Sequence, residues 1–594
     1  MQKYSVNQQL IETLLSWVKS GKIAIPEIQR PFVWDAAKVR DLLDSLYQGY
    51  PIGYLIIWRS PNIRLKDGSL SNGKKILIDG QQRVTALTAA ILGHYIVDKT
   101  YKKVKIKIAF NPLTEKFEVQ NPAILKDKLW IPDISVIYND ETSIIKLVRT
   151  YMNQNPDVSE SQIEKSFTIL QQIAKKQIGL IELGEDLDIE TVTEIFIRIN
   201  KEGVVLSQAD FAMSKIASNE DFNGNVIRKA IDYFCHLAIA PDFYQHIIDN
   251  DQEFAKTEYF QAMKWLKDEN DDLYDPDYND LLRVIFTSQF NRGKLADFVS
   301  LLSGRNFENR TFEEEIVEES FQKLSNGILE FTNESNYKRF LMIIKSAGFI
   351  SPKLIRSKNS LNFAYILYLK LREQKLNQVD IEKHVRKWFV FSILTGRYSG
   401  SPESKFDEDI RNINKKEFSE YFNELETGEL SDAFWSVLLP QKLDTSASNS
   451  PYFHIYLASQ VKSNDKGFLS SDITVADLIN HRGDIHHLFP KDYLQKNGFD
   501  RYKYNQIANF VYMQTEINIK VGNKSPEHYF NDIKSNLQKD KISGITDELS
   551  FLNNLDSHSI PHEITNMTVE NYLEFLEQRR KLMAQKIKHY YISL

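Results

Sequence analysis

The chain has 594 residues, 42% of them hydrophobic and 26% charged, an ordinary globular composition with room for two to four domains. With 74 basic against 80 acidic side chains the net charge is −6, which excludes a globally basic, histone-like nucleic-acid binder but leaves room for a local basic groove. The single cysteine, Cys235, excludes an intramolecular disulfide or a Cys-based zinc cluster, and the start "MQKYSVNQQLIETLLSWVKSGK" lacks the apolar core of a signal peptide, so a cytoplasmic protein without a membrane span is expected.

Residues 1–220 mix two hydrophobic periods. "AAKVRDLLDSLY" places Val39, Leu42, Leu43, Leu46 and Tyr47 on one helical face, with Asp35 as N-cap and Gly49 and Pro51 as the stop. "YLIIW" and "KILI" are short apolar runs suited to buried strands, and "YKKVKIKIAF" alternates lysines with Val104, Ile106 and Ile108 as a half-exposed strand would.

"KKILIDGQQRVTALTAAI" (74–91) passes from an apolar run through Asp79 and Gly80 into a helix. A helix start offers unpaired N–H groups to an anion, Gly80 permits close backbone approach, Arg83 carries a two-donor fork, and Gln81 and Gln82 can orient water or a base. Asp79 beside phosphates needs a metal ion or a proton to relieve repulsion. The same Asp79 and Gln82 also fit a capping box, a purely structural role.

Three separated stretches carry a family resemblance: "IPEIQRPFVWDAAKVRDLLDSLYQGYPIGYLIIW" (25–58), "LIDGQQRVTAL" and "FIRINKEGVVLSQADFAMSKI" (196–216). In this order they resemble the N-terminal domain of the GmrSD family, which is similar to ParB and sulfiredoxin folds and whose DGQQR run is associated with nucleoside triphosphate binding and hydrolysis. The resemblance implies a nucleotide pocket built from Gln29, Arg30, Asp79, Gly80, Gln81, Gln82, Arg83, Arg198 and Asn200, with Asp79 and Arg83 taking part in turnover of GTP or ATP. Arg30 with Trp34 also fits a structural pairing of guanidinium and ring, and Arg198 with Asn200 a braced turn.

From 221 to 440 strand signals nearly vanish, and a helical connector is expected. Within it "KWFVFSILTGRYSGSPESKFDEDI" (387–410) resembles a stretch found in the same family. Its Arg397 and hydroxyls suit a phosphate or a bridge between domains, or equally a helix end capped by Gly396 with a satisfied loop network. "QKLDTSASNSP" (441–451) reads as a linker, and "EFLEQRRKLMAQKIKHYY" near the end as a basic helix that follows a DNA backbone or is simply solvated.

The last part, 441–594, holds "DIHHLFPKDYL" and then "NQIANFVYMQTEINIKVGNKSP" (505–526). A histidine-bearing strand end, a loop, a short strand carrying Asn509 and a helix bearing Asn518 form the order of a ββα-metal (HNH-type) nuclease, which the segment resembles. Hydrolysing a phosphodiester needs a base for water and a cation at the charge developing on the leaving oxygen. The resemblance makes His487 the base, Asn509 the brace of the hairpin, His486 and Asn518 the metal ligands, and Lys520 and Lys524 phosphate contacts. His486 stands where many relatives carry a carboxylate, which leaves Mn2+ open beside Mg2+; Asp484 or His481 would be further ligands or solvated loop residues. His528, His558, His562 and His589 read as surface or structural.

The resulting expectation is an α+β multidomain chain: a ParB/sulfiredoxin-like NTP-binding domain (1–220), a helical connector (221–440) and an HNH nuclease domain (441–594). Its implied activity is that of an NTP-regulated, metal-dependent endonuclease of the modification-dependent (type IV) restriction class, acting on double-stranded DNA, including modified phage DNA, in anti-phage defence. A homo-oligomer is compatible with such regulation. The alternative is a non-cleaving, NTP-switched DNA-binding regulator of ParB type with a degenerate nuclease domain.

Overall fold

The computed structural model describes residues 4–20, 22–24, 34–59, 75–97, 103–138, 143–184, 187, 195, 208–219, 221–269, 271–481, 484–537 and 545–594. The chain divides into two compact units, Met1–Gln261 with Phe298–Phe321 and Ala262–Asp297 with Gln322–Leu594. Among the described residues no helix is long and apolar enough to cross a membrane. The architecture is mixed α+β, with small sheets among many helices.

The first unit is built on a five-stranded sheet in the order Tyr4–Leu10, Gln177–Leu183, Tyr54–Arg59, Lys75–Asp79, Ile23–Ala24. Neighbours alternate antiparallel, parallel, antiparallel, parallel across it. The unbroken apolar runs of the sequence follow from coverage on both faces. Leu55, Ile57 and Leu77 join a core with Val39, Leu43, Val84, Leu87 and Ile91, while Ile56, Trp58, Ile78 and Leu183 form a second cluster. The Trp58 indole donates to the Gly184 carbonyl at 3.1 Å, so its one polar atom is satisfied.

The Ala36–Gln48 helix begins and ends as its sequence predicts. Asp35 accepts the Lys38 amide at 2.8 Å, and Gly49 takes φ +80°, a left-handed cap that costs glycine little. The alternating lysine stretch differs from expectation. Instead of one strand it forms two, Lys103–Val104 paired with Ile96–Val97 and Ile108–Asn111 paired with Lys116–Val119. Its two ends hydrogen-bond to different partners, which breaks the ladder at 105–107 although Ile106 and Ile108 remain buried.

No strand lies between Gln177–Leu183 and Asp484–His487 among the described residues, which there are mostly helical. Residues 441–451 lie inside the second unit, where Leu443 is buried and the Thr445 carbonyl accepts the Ile507 amide at 2.9 Å. The Arg397 turn proves to be a closed internal network. Its fork grips Asp409 with Nε (2.9 Å) and Nη2, reaches Glu429 with Nη1 at 2.8 Å, and receives company from Tyr398 and Tyr421, whose hydroxyls donate to Asp409 at 2.8 and 2.7 Å. The Trp388 ring lies 5.4 Å from the guanidinium. Nε, Nη1 and Nη2 are all engaged within the fold, Nη2 by both Asp409 and the Tyr421 hydroxyl, as the satisfied loop network predicts.

In the C-terminal helix, Tyr572–Ile592, several basic residues are engaged within the fold. Arg579 is fully buried and donates only to carbonyls, Ala508 at 2.8 Å and His558 at 3.1 Å, while Arg580 pairs with Asp444, Lys581 with Glu577, Lys586 with Asp465 and Lys588 with Asp432. Arg579, Arg580, Lys586 and Lys588 thus tie the helix to other segments, while Lys581 is exposed and pairs along the helix itself.

Asp409→Ala would remove the buried partner of Arg397 and leave only the half-exposed Glu429, a loss of up to about 3–5 kcal/mol for a broken buried pair. Urea unfolding should show a markedly lower midpoint; a variant as stable as the parent contradicts the network's role.

Candidate functional site

In the second unit Asp484–His487 pairs antiparallel with Phe510–Met513, Ile485 opposite Tyr512 and His487 opposite Phe510. Consecutive strand residues face opposite sides, which explains why His486 is buried and His487 only partly so. Pro490 ends the first strand and opens the Lys491–Lys496 helix.

Asn509 closes this ribbon. It ends the short turn Ile507–Asn509 just before the second strand, one residue earlier than the sequence predicts, and is wholly buried. Its Oδ1 accepts the Phe489 amide at 2.8 Å, and its Nδ2 donates to the carbonyls of Phe489 (3.0 Å) and Tyr504 (3.1 Å). The Asn509 carbonyl accepts the Leu488 amide at 2.8 Å, and the Tyr529 hydroxyl donates to the Leu488 carbonyl at 2.9 Å. One carboxamide thus fastens the residues just after His487 to the turn around Tyr504. Only a side chain with both donor and acceptor does this; aspartate would lack the donor.

Beneath the clasp, Arg579 holds Ala508, and burial pushes its guanidinium below the ordinary arginine value. His558 donates from Nε2 to Lys466 and accepts from Gln460 at Nδ1; burial holds it down to about 3, a structural, neutral imidazole.

His487 meets Asn505 Oδ1 through Nε2 at 3.0 Å, and its ring lies edge-on to Phe510 at 5.1 Å. Burial lowers its pKa, Asn505 opposes that shift, and the Lys491 ammonium reinforces it. The imidazole is therefore neutral at physiological pH, the form able to accept a proton. Neither Asn505 nor Lys491 was legible as a site residue, because nothing in the local pattern marks them; only the turn that brings 505 back to 487 does.

The Thr515–Val521 helix carries Asn518, half-buried, and Lys520, exposed, and ends at Gly522 with φ +62°. Lys524 is exposed but paired with Asp532 at 2.5 Å. Among the described residues no three His, Cys, Asp or Glu side chains gather as a metal cluster. A cation at His486 and Asn518 would accordingly keep much of its water, as Mg2+ and Mn2+ do in sites completed by substrate.

In the first unit the DGQQR run joins the end of the Lys75–Asp79 strand to the Gln81–Ile91 helix through Gly80 at φ +94°. A Cβ there would sit 2.2 Å from Leu55 Cδ2, and one at Gly53 (φ +86°) 2.6 Å from Arg83 Nη1, so both glycines admit close packing that no other residue allows. The capping box is not formed, since Gly80 is the cap residue and no side chain caps the helix. Asp79 instead accepts Arg83 Nη2 at 2.9 Å, while Arg83 Nη1 donates to the Ile52 carbonyl at 3.0 Å. Gln81 is buried and Gln82 half-buried. Gln29, Arg30, Arg198 and Asn200 lie outside the described residues.

Asn509→Ala would leave buried groups of Phe489 and Tyr504 unpaired, each costing about 1–3 kcal/mol. The Phe489 amide should lose hydrogen-exchange protection relative to the parent; unchanged protection contradicts the clasp.

Two comparisons bear on identity. A protein of Methanocaldococcus jannaschii, named only as the uncharacterized protein MJ0686, is 22% identical over 640 aligned positions that cover 97% of this chain and 98% of the relative. Residues 11–217 match the family described as "GmrSD restriction endonuclease, N-terminal domain". The match covers four of the sheet's five strands, all but Tyr4–Leu10, together with the Asp79–Arg83 junction, so it is the N-terminal part of the chain that is similar to this family.

Proposed function

We propose that this protein is an NTP-regulated, metal-dependent DNA endonuclease of the modification-dependent restriction class, acting in defence against phage. The GmrSD N-terminal domain ties the chain to a restriction-endonuclease-related function. The ribbon in the second unit supplies the scission chemistry, and the observation that carries this reading is the Asn509 clasp holding a neutral His487 at the strand end.

His487 takes the proton of a water aimed at a backbone phosphate, general-base work for which a neutral imidazole is suited. Lys491, whose ammonium acts on His487, and the exposed Lys520 bring positive charge to the path of the phosphate backbone. His486 and Asn518 would hold a divalent cation, Mg2+ or Mn2+, which when bound stabilises charge developing on the leaving 3′ oxygen. An imidazole in place of a carboxylate softens the preference for Mg2+.

At the other site, Arg83 is engaged by Asp79 and the Ile52 carbonyl. An NTP phosphate competes with Asp79 for that fork, and Arg83 exchanges one anionic partner for another. When bound, the nucleotide supplies the phosphoanhydride whose hydrolysis resets the switch. Asp79–Arg83 and His487 belong to different units, and control of cleavage by nucleotide restrains a nuclease that would otherwise attack host DNA.

Nicking of supercoiled DNA in Mg2+ and Mn2+, with and without ATP or GTP, tests the proposal. His487→Ala should lose cleavage by at least about 100-fold, as removal of a general base does, and Arg83→Ala should abolish NTP turnover and the response to nucleotide. Cleavage by His487→Ala at the parent rate sinks the base assignment, and DNA binding without any metal-dependent cleavage would favour the non-cleaving regulator.

A further inference from the structure

We infer that Asn505 is a positioning residue that sets the tautomer of His487, presenting Oδ1 to Nε2 so that the proton resides there and the lone pair on Nδ1. This rests on the nuclease reading of the ribbon. A neutral imidazole carries one N–H and one lone pair, and whichever nitrogen faces an acceptor takes the proton. The contact is 3.0 Å, well within hydrogen-bond range, and the ring is packed by Phe510 on one edge. His487 then accepts the water proton at Nδ1.

The carboxamide is held in place by more than its own bond. Asn505 follows the short Arg501–Tyr504 helix, whose start is capped by Asp500 accepting the Lys503 amide at 2.9 Å. The Lys503 carbonyl accepts the Tyr572 hydroxyl at 2.8 Å, and the Tyr504 carbonyl accepts Asn509 Nδ2 at 3.1 Å. The Asn505 backbone amide donates to Arg501, which closes the helix and leaves the side chain for the imidazole. Asn509 thus fixes both ends of the contact, through Phe489 near His487 and through Tyr504 beside Asn505. A residue serving only as the helix end would need its backbone alone; the side chain reaching an imidazole eighteen positions away is the part that a capping role does not explain.

The test combines two readouts on the full chain. Selective 15N-histidine labelling, with the His487 signal identified by its absence in His487→Gln, reports the tautomer above the ordinary imidazole pKa. The parent should show the Nε2–H form, Asn505→Leu a mixture of both forms, and Asn505→Asp the Nε2–H form again. In DNA cleavage, Asn505→Leu should lower kcat by about 10- to 100-fold with KM for DNA unchanged, the scale of losing an orienting partner, and Asn505→Asp should recover much of kcat. An Nδ1–H parent, or Asn505→Leu matching the parent in tautomer and kcat, overturns the assignment. A parent that cleaves no DNA under any metal condition defeats the nuclease reading instead, while the tautomer still decides what Asn505 does.

Discussion

The carboxamide of Asn509 is the constraint on which the second unit's site depends. Its donor and acceptor tie the Leu488–Phe489 bend to the Tyr504 turn. A two-stranded ribbon of four residues a side is marginal alone. Here Arg579 from the C-terminal helix and Tyr529 from the helix Pro526–Asn536 brace it from below and beside. Arg579 is an expensive brace, a buried cation set against the carbonyls of Ala508 and His558 beside the turn carrying Asn509. Through Tyr590, which donates to the Ala347 carbonyl, and Tyr591, which reaches Glu426 at 2.6 Å, the same helix ties this site to the helical part of its unit.

The first unit solves a different problem. Its sheet must deliver an acid, a glycine and an arginine to one strand-to-helix junction without a side chain in the way. Gly80 and Gly53 achieve this by letting Leu55 and the Arg83 guanidinium approach the backbone. The resting partner of Arg83 is Asp79, its own neighbour one helical turn back, so binding of an anion there is an exchange and not a simple addition. Such an exchange would make the junction sensitive to charge, as the proposed switch requires.

Much of this was legible in the residues. Apolar runs without alternation marked strands covered on both faces, and Asp35 and Gly49 bounded a helix because capping chemistry is local. The strand ending at His487 and the helix bearing Asn518 were readable from their patterns, whereas Asn509 lies in the turn just before the strand expected to carry it. What escaped was set by contacts distant in sequence. The lysine-rich stretch split because its halves find different partners, Arg579 is buried because Ala508 and His558 lie beneath it, and Asn505 matters only because a turn returns it to His487. The Arg397 loop was ambiguous for the same reason, since Asp409 and Glu429 had to be brought to it.

In the proposed reaction a cation and a scissile phosphate would share the space next to the ribbon. Anomalous scattering from Mn2+ in crystals of the full chain with a duplex oligonucleotide addresses that claim directly. The prediction is a peak held by His486 and Asn518, with a backbone phosphate facing His487. Manganese bound elsewhere, or a duplex lying away from the ribbon, would contradict it.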